Sequence, residues 1–498
     1  MQDHMDLGPV ELSYAAAVRG HMPAPAGTSL TYALLGATDA EAGVALAASN
    51  PEGQFYFFCN IAADTTQFEN ISRNRGVTNC RAITASVTEF SSKILSGASA
   101  WPAFDYLCLD TTSLLLLPEE LHQFMAATPR AISTRGLVAL RYRPFNRLDD
   151  AFQYVVNTFA DQVPETSHAE FMAELSALAT RMSARNRVVG QMLADHAKTG
   201  DLKGLRGKLR PDVPTSKTLD VQQSMLKAGM HYLGDAKISD NYLEMAVPKA
   251  AQEQLMTLSK TPHFEVFKDL ARDKLVRCDV WSRPEADYSI TPEELFKRFS
   301  FGIAQTSAIP ATLKVGEQEL NLKAPPFARL VAMMSVMPIT LADCVEDPEQ
   351  AAAHPADIVS ALQILVAAGI AAPMRACFAG GRVDSSSPKA ANQFNLHALA
   401  LNEAPTSSVP LLASVIIGRP VRMDAKDFLV LKSITQQSGM EGSAHVLKLL
   451  LEMVATDPLK ALTLLGGRQP TTDLAASMIN DVCQRDFANW YGYGLLAA

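Results

Sequence analysis

Residues 30–60 carry the pattern that decides the fold: LTYALLGATDAEAGVALAASNPEGQFYFFCN. Residues 30–35 are a short apolar run that Gly36 ends, and residues 40–48 are rich in helix formers. An Asn-Pro pair ends that helix, and residues 54–59 form an aromatic and apolar run typical of a buried parallel strand. The stretch predicts the strand–helix–strand unit that opens a doubly wound sheet.

The turn after the first predicted strand lacks the features with which such a sheet holds a nucleotide. In nucleotide-binding versions, several glycines let the ligand approach the backbone, and an acidic residue ends the second strand and binds ribose hydroxyls. Here Gly36 is followed by no second glycine before Gly43, and the second strand ends in Cys59 and Asn60. The sequence therefore predicts a nucleotide-type scaffold with an altered ligand turn.

The residues that replace the glycines predict a helix start. Thr38-Asp39-Ala40-Glu41 is a capping-box pattern, with Thr38 as the N-cap and Glu41 three residues later. Such a box satisfies amides that a bound ligand would otherwise meet. We therefore interpret the turn as an ordinary capped helix start, and we favour this over the alternative that Asp39 or Glu41 replaces a lost ligand acid.

The composition narrows the class of protein. The 498 residues suggest about three domains. A net charge of −8 with 44 Lys and Arg residues gives no support to non-specific nucleic-acid binding. Seven cysteines without a CxxC pair predict reduced thiols and a cytoplasmic location, not a disulfide framework or a zinc site. Residues 1–20 are too acidic for a signal peptide, and no apolar run is long enough to predict a membrane span.

Strand–helix alternation from residue 28 to residue 143 predicts a parallel sheet with right-handed crossovers. Residues 146–209 then have helical spacing, and the polar, basic segment 199–217 is predicted to be an exposed loop and, less favoured, a surface for an acidic partner. Strand character returns at 230–238 and at 276–283. We expect these two late strands to complete the same sheet.

Residues 325–378 have the pattern of a winged helix-turn-helix, after a segment 289–310 that is predicted to be helical at PEELFKRFSFG. Its third helix offers mainly Asp357, Ser360 and Gln363 on the polar side, whereas DNA-binding versions present Arg, Lys, Asn or Gln to base edges. We therefore favour packing or protein contact over DNA binding. The remainder is predicted to be mostly helical, with NQFNL and SVPLLASVIIGRPV as connecting segments.

Several framework segments resemble a known family. They are Ala47–Tyr56, Phe104–Tyr106, Arg135–Val138 with Tyr142, Ala228–Tyr232, Asp240–Asn241 and Arg277–Val280. In these segments the chain resembles bacterial class I S-adenosylmethionine-dependent methyltransferases with a methyltransferase regulatory domain and a C-terminal winged-helix region, relatives of the rickettsial-type protein lysine methyltransferases.

The resemblance covers most of the chain and implies an α/β fold: a Rossmann-like class I methyltransferase sheet with a helical insertion, then a winged-helix domain and a mainly helical C-terminal region. The domains implied are 1–145 (degenerate methyltransferase core), 146–288 (regulatory and helical region with the late strands), 289–390 (winged-helix-like) and 391–498 (mainly helical).

The functional motifs of that family are altered in this chain. The family's YxELGCGxG corresponds to residues 32–40, where Leu34 replaces the acid and one glycine remains. Its Asp after the second strand is Cys59, its HGIYSWV loop is 110–116, and its SYN is 141–143. Its HEYL segment is replaced by the basic loop near 202–217. Five losses at ligand positions, with the framework retained, favour an inactive relative.

By this resemblance the degenerate cofactor pocket comprises Gly36, Asp39, Cys59, Asn60 and Asp110, with S-adenosylmethionine as the cofactor, if any. Methyl transfer from a sulfonium needs the reactants held in line and little acid–base chemistry, so no catalytic residue is predicted. Asp110 ends a strand where open sheets bind ligands, but with Thr111 and Thr112 it can equally cap a turn, and the two interpretations stay equal.

The remaining candidate groups favour structural roles. Cys59 is interpreted as a small buried apolar residue in preference to a nucleophile, because no neighbouring feature lowers its pKa. The histidines form no metal-binding spacing, so no metal is expected. His231, which alternates with apolar neighbours, is interpreted as structural in preference to a general base.

Three functions remain, in this order. The first is a pseudo-methyltransferase that binds a protein, either an active paralogue or a protein substrate, as part of a homo- or hetero-oligomer. The second is an active protein methyltransferase with a non-standard cofactor pocket. The third and weakest is a regulator that binds DNA through its winged helix. Neither nucleic acid nor a membrane is expected as a partner.

Overall fold

The computed structural model describes residues 7–22, 29–114, 116–144, 167–182, 187–198, 216–261, 264–272, 274, 276–284, 291–304, 309–315, 318–350, 353–376, 389–390, 392–400, 411–423, 425–436, 440–456, 469–492 and 495–497.

A seven-stranded sheet with the order β3-β2-β1-β4-β5-β7-β6 lies at the centre of the fold. Its strands are β1 (Thr31–Leu35), β2 (Gln54–Cys59), β3 (Cys80–Thr84), β4 (Phe104–Asp110), β5 (Ile132–Tyr142), β6 (His231–Asp235) and β7 (Arg277–Ser282). Strands β1 to β5 are parallel, and β7 runs antiparallel between β5 and β6. The predicted α/β class is confirmed, and so is the expectation that the two late strands complete the same sheet.

Helices cover both faces of this sheet. One face is covered by α1 (Pro9–Val18), α2 (Ala40–Ala48) and α3 (Ala62–Asn74), and the other by α4 (Val87–Ser96), α5 (Pro118–Ala131) and α8 (Thr218–Lys227). Leu34 belongs to the first apolar cluster and Leu35 to the second, because successive side chains of a strand point to opposite faces. Since both faces are covered, the central strands β1 and β2 are largely apolar, as the sequence pattern indicated.

The segment between β5 and β6 contains two helices that pack against each other, α6 (His168–Met182) and α7 (Arg187–Ala197). The Ser176 hydroxyl of α6 donates a hydrogen bond to the Gly190 carbonyl of α7 at 2.7 Å. Between β6 and β7 lie α9 (Leu243–Ala246), α10 (Lys249–Thr257) and α11 (Phe264–Arg272). Most of the predicted basic loop at 199–217, and residues 146–166 of the predicted helical region 146–209, fall outside the described residues.

The next region begins with α12 (Pro292–Phe296) and β8 (Phe299–Ile303). The prediction of helix throughout PEELFKRFSFG is therefore wrong in its second half. Phe299, Phe301 and Ile303 are buried in the apolar cluster beneath α1, where the Tyr14 ring meets both phenylalanine rings edge-on. The segment is a strand because its alternating apolar side chains pack against Tyr14, and this packing outweighs the local preference for helix.

A small antiparallel sheet with the order β11-β8-β12 organises this region. Its further elements are the hairpin of β9 (Thr312–Val315) and β10 (Gln318–Asn321), then α13 (Phe327–Met334), β11 (Ile339–Thr340), α14 (Leu341–Glu346), α15 (Pro355–Ala367) and β12 (Ala371–Arg375). The order of helices agrees with the predicted helix-turn-helix pattern. Leu330 and Met334 of α13 lie in the same apolar cluster as Ile358 and Leu362 of α15.

The C-terminal region contains α16 (Gln393–Ala400), a hairpin of β14 (Leu411–Ser414) and β15 (Arg419–Arg422), then α17 (Ala425–Gln436), α18 (Met440–Thr456) and α19 (Thr472–Gly492). Strand β13 (Lys389–Ala390) pairs with β16 (Leu496–Ala497). The predicted helices are present, but NQFNL and SVPLLASVIIGRPV are not mere connections. Residues 393–396 of the first lie in α16, and residues 411–421 of the second belong to the hairpin, whose turn uses Gly418 at a φ of +74°.

This hairpin docks on the opening strand–helix–strand unit. The Asn50 amide donates to the Gly418 carbonyl at 2.9 Å, and the Ser414 N–H donates to the Ser49 hydroxyl at 3.1 Å. Arg375, which is buried, contacts the Asn50 side-chain oxygen and forms an ion pair with Glu52. Among the described residues, no helix is long and apolar enough to cross a membrane.

Candidate functional site

The carboxyl ends of β1 and β4 mark the place where a sheet of this order binds a ligand. The chain leaves β1 toward β2 on one side, and β4 lies on the other side, so the loops that follow β1 and β4 diverge at a topological switch point. The five predicted site residues all lie along this edge. Gly36 and Asp39 follow β1, Cys59 and Asn60 end or follow β2, and Asp110 ends β4.

The crevice between these two loops is filled by Leu114. Gly36 has a φ of +78°, and a Cβ atom there would lie 2.5 Å from Leu114 Cδ1 and 2.8 Å from the Asp110 carbonyl oxygen. The Leu114 side chain therefore lies directly against the Gly36 backbone, and only 4% of Leu114 is exposed. Glycine is therefore required at position 36 because any side chain there would collide with Leu114 and the Asp110 carbonyl, and no ligand is needed to explain it.

The amides of the turn after β1 are also engaged within the chain. The N–H groups of Gly36 and Ala37 both donate to the Phe58 carbonyl, at 3.1 and 3.3 Å. The Asp39 carboxylate accepts a hydrogen bond from the Ala42 N–H at 3.0 Å. These contacts engage three of the amides near the turn, which are therefore less available to an anion of the kind that nucleotide sites bind at a helix start.

The position of the helix cap corrects the prediction from the sequence. The N-cap is Asp39, not Thr38, and α2 begins at Ala40. Glu41 is therefore the second helical residue, and its carboxylate lies 3.3 Å from Nη2 of Arg75, the C-cap residue of α3. Both Thr and Asp are good N-cap residues, so the local pattern did not determine which of two neighbours would serve. The predicted capped helix start is present, one residue later.

The end of β2 is apolar where a ribose-binding acid is expected. Cys59 is fully buried, and burial raises the pKa of its thiol to about 11, to which the nearby Asp64 carboxylate adds. The thiol is therefore protonated and unreactive near neutral pH. Asn60 is exposed, and the following Ile61 leaves 56% of its side chain in solvent.

Asp110, in contrast, is buried and bound within the chain. Its Oδ1 accepts hydrogen bonds from the Thr112 N–H at 2.8 Å and the Thr112 hydroxyl at 2.5 Å. Its Oδ2 lies 3.7 Å from Arg141 Nη1, and both side chains are almost fully buried. The capping geometry is thus present, and the carboxylate also neutralises the buried guanidinium at the end of β5.

A second polar assembly, which the sequence did not point to, lies at the end of the sheet formed by β5, β6 and β7. It consists of four basic residues (Lys268, Arg272, Lys274 and Arg277) and five acidic ones (Asp235, Asp240, Glu265, Asp269 and Asp279). We call it the charge cluster. A usable signal was present, because α11 carries opposite charges at i,i+3 spacing and β7 alternates Arg277 with Asp279.

Arg277 lies at the centre of the charge cluster and is fully buried. Its guanidinium binds Asp269, Asp279 and Glu265 at 2.7 to 3.0 Å, and the Tyr142 hydroxyl donates to Asp279 at 2.8 Å. Burial raises the pKa of the Asp279 carboxyl, while the Arg277 charge opposes this, and the nearby carboxylates raise the pKa of Arg277. The charged groups of the cluster therefore pair with one another, and these ion pairs hold α11 against β7.

The described residues do not fit S-adenosylmethionine at the switch point. A cofactor there needs space between the loops after β1 and β4 and acids for its hydroxyl and amino groups. Leu114 fills that space, Leu34 is buried in the apolar cluster, and Cys59 carries no charge. Within the same described part of the chain, no group of three or more His, Cys, Asp or Glu residues could hold a metal ion.

Comparison with known proteins adds two findings. Residues 215–283 match the family model described as a predicted methyltransferase regulatory domain, and this segment contains the whole charge cluster. The fold matches PKMT2 from Rickettsia typhi in complex with AdoHcy with a TM-score of 0.70 and 12% identity, over 99% of this chain and 98% of that one. A further structure of PKMT2 from Rickettsia typhi matches with a TM-score of 0.69 and 13% identity, over 100% and 99%. A search of the curated proteins finds no match.

Proposed function

We propose that this chain, which has the fold of class I S-adenosylmethionine-dependent methyltransferases and carries a methyltransferase regulatory domain at residues 215–283, is a protein-binding relative that does not transfer methyl groups. The contact between Leu114 and Gly36 carries this proposal, because the Leu114 side chain fills the crevice between the loops that follow β1 and β4. The Asp39 cap, the neutral Cys59 thiol and the Asp110–Arg141 pair support it.

A second candidate is an active protein methyltransferase with a non-standard cofactor pocket. The match to PKMT2 over nearly the whole of both chains supports this candidate, since PKMT2 was solved with AdoHcy bound. It requires Leu114 to leave Gly36, so that the crevice opens when the cofactor arrives. The two candidates therefore differ in one measurable property, which is affinity for the cofactor.

The test is calorimetric titration of the full chain with S-adenosylmethionine and with S-adenosylhomocysteine, together with thermal unfolding in the same ligands. We expect neither heat of binding nor a rise in Tm at millimolar ligand. Micromolar binding of either ligand shows that the crevice is not closed and favours the second candidate, and methyl acceptors would then be sought among proteins.

We further propose the domain division 1–145, 146–288, 289–390 and 391–498, with residues 325–378 as a winged helix that serves protein contact. Support comes from α15, the third helix of that pattern. The Tyr242 hydroxyl donates to Gln363 at 3.4 Å, so one polar residue of this helix contacts the segment 215–283, while Asp357 and Ser360 are exposed. The exposed polar residues include an acid and no base, which favours contact with a protein over contact with DNA. The six described cysteines are free thiols, which supports the proposed cytoplasmic location.

A further inference from the structure

Strand β3 forms one edge of the central sheet and is paired only with β2. In a parallel ladder, alternate residues direct both backbone groups to the neighbouring strand. The Phe55 N–H donates to the Asn79 carbonyl, and the Ala85 N–H donates to the Cys59 carbonyl, so odd-numbered residues face β2. The N–H and C=O groups of Cys80, Ala82 and Thr84 therefore point away from the sheet.

A cleft of about 610 Å³ lies along this edge, and Cys80 and Ala82 are among the residues that line it. One wall is α3, with Glu69, Ser72 and Arg73, and Cys80 points toward this wall because its Sγ lies 3.3 Å from the Ser72 hydroxyl. The opposite wall includes the Trp101 ring, and Arg81 also lines the cleft. Trp101 stacks on Phe90 at 5.2 Å between ring centres, which holds that wall in place.

The charged lining of the cleft has no partners within the described residues. Arg73, Arg81 and Glu69 form no ion pair or hydrogen bond with any described side chain, and both arginines are exposed. The lining therefore carries an excess of one positive charge. An edge strand without a bulge, a proline or a lysine is open to pairing with another strand. The arginines favour a strand that carries acidic side chains.

We propose that the β3 edge binds a short extended segment of another protein, which adds to the sheet as a strand and carries acidic side chains toward Arg81 on one face and Arg73 on the other. Main-chain hydrogen bonds to Cys80, Ala82 and Thr84 hold the segment, and the two arginines select its side chains. The site lies two strands away from β1, so it does not depend on whether the crevice at Gly36 binds a cofactor.

A second copy of this chain fits the same edge less well. An antiparallel pairing centred on Ala82 uses all the outward groups, but it brings the two Arg81 side chains to diagonal positions on one face of the joined sheet. Long side chains at diagonal positions are within reach of each other, so the two guanidinium groups repel. The charge of the strand therefore opposes self-pairing and favours an acidic partner.

The test begins with selection from a random peptide library displayed on phage against the full chain, followed by fluorescence anisotropy with the enriched peptides. We expect enriched peptides rich in Asp, Glu and β-branched residues. On binding, the amides of Cys80, Ala82 and Thr84 should gain protection in hydrogen–deuterium exchange, while the amides that already face β2 should not change.

Two variants and a matched control make this test specific. Ala82→Pro removes one outward N–H and leaves the ladder to β2 intact, since edge strands accept proline on the solvent side, and it should abolish binding. Arg81→Glu should weaken binding by about tenfold through lost charge-assisted contacts. Lys227→Glu makes the same charge change on the exposed side of α8, outside the cleft, and should leave the affinity unchanged.

Three results overturn the proposal. The first is enriched peptides that bind Ala82→Pro and Arg81→Glu as tightly as the unaltered chain, and the second is the absence of any enriched peptide that depends on β3. The third is protection of the β3 amides that rises with protein concentration without peptide, which assigns the edge to self-pairing. Cofactor titration reports separately on the proposed function, because it probes the other loop region.

Discussion

One guanidinium nitrogen of Arg277 donates to both carboxylate oxygens of Asp269, at 2.7 Å each. Asp269 lies on α11 and Arg277 on β7, so this contact ties a helix of the segment 215–283 to a strand inside the central sheet. The other charged residues of the charge cluster form ion pairs with Asp269, with Arg277 or with one another. A buried ionic assembly of this kind tolerates the loss of a whole pair better than the loss of one partner.

We therefore expect Arg277→Met to lower the free energy of unfolding by about 3–5 kcal/mol, because five acids would then face three bases in a buried place. The midpoint of urea unfolding, followed by circular dichroism, measures this. Lys198→Met breaks an exposed ion pair with Asp195 and should leave the midpoint unchanged. Equal, small effects of both changes would contradict a buried, interdependent cluster.

The assignment of the helix cap predicts a clear contrast between two neighbours. Asp39→Ala removes the hydrogen bond to the Ala42 N–H and should cost about 1 kcal/mol of unfolding free energy. Thr38→Ala removes an exposed side chain that caps nothing and should have no measurable effect. The reverse order of effects would restore the capping box that the sequence predicts.

The crevice predicts that restored motif residues are insufficient for cofactor binding. The triple variant Leu34→Glu, Thr38→Gly, Cys59→Asp should show no heat with S-adenosylhomocysteine, because Leu114 still lies on Gly36. Adding Leu114→Ala clears the space and should produce binding at millimolar ligand. Leu114→Ala alone is the control, with an expected cost of about 2–4 kcal/mol for the cavity. Binding by the triple variant alone would show that Leu114 does not block the crevice.

His21 predicts a pH dependence of stability. Its imidazole is buried, neither ring nitrogen has a hydrogen-bond partner among the residues described, and burial lowers its pKa to about 4, helped by His231 and Arg135. The unfolded chain, with a pKa near 6.5, binds the proton more readily than the folded chain does. Stability should therefore be full above pH 6.5 and fall as the pH drops toward 4, by roughly 2–3 kcal/mol. His21→Leu should flatten this part of the profile of Tm against pH, and an unchanged slope would exclude His21 as the cause.

The sequence predicted most closely what is local. Strand β2 has the bounds predicted from the aromatic run 54–59, and Asp110 ends its strand as expected. The contact between Leu114 and Gly36 was out of reach, because it joins loops far apart in the chain and no local pattern encodes it. The strand at Phe299–Ile303 was missed for a similar reason, since its alternating apolar residues are stabilised as a strand by packing against Tyr14, which lies far away in the sequence.

The docking of the hairpin on Asn50 has a consequence for how the chain is made. Asn50 and its acceptor Gly418 are separated by 368 positions, so the opening unit leaves the ribosome long before its partner exists. During that interval Ser49 and Asn50 can donate only to the carbonyls of α2, and the Glu52 carboxylate lacks its partner Arg375. Contacts of such long sequence separation form late. The first unit to be synthesised is thus among the last to be completed, and the nascent chain depends on its final quarter to reach the native state.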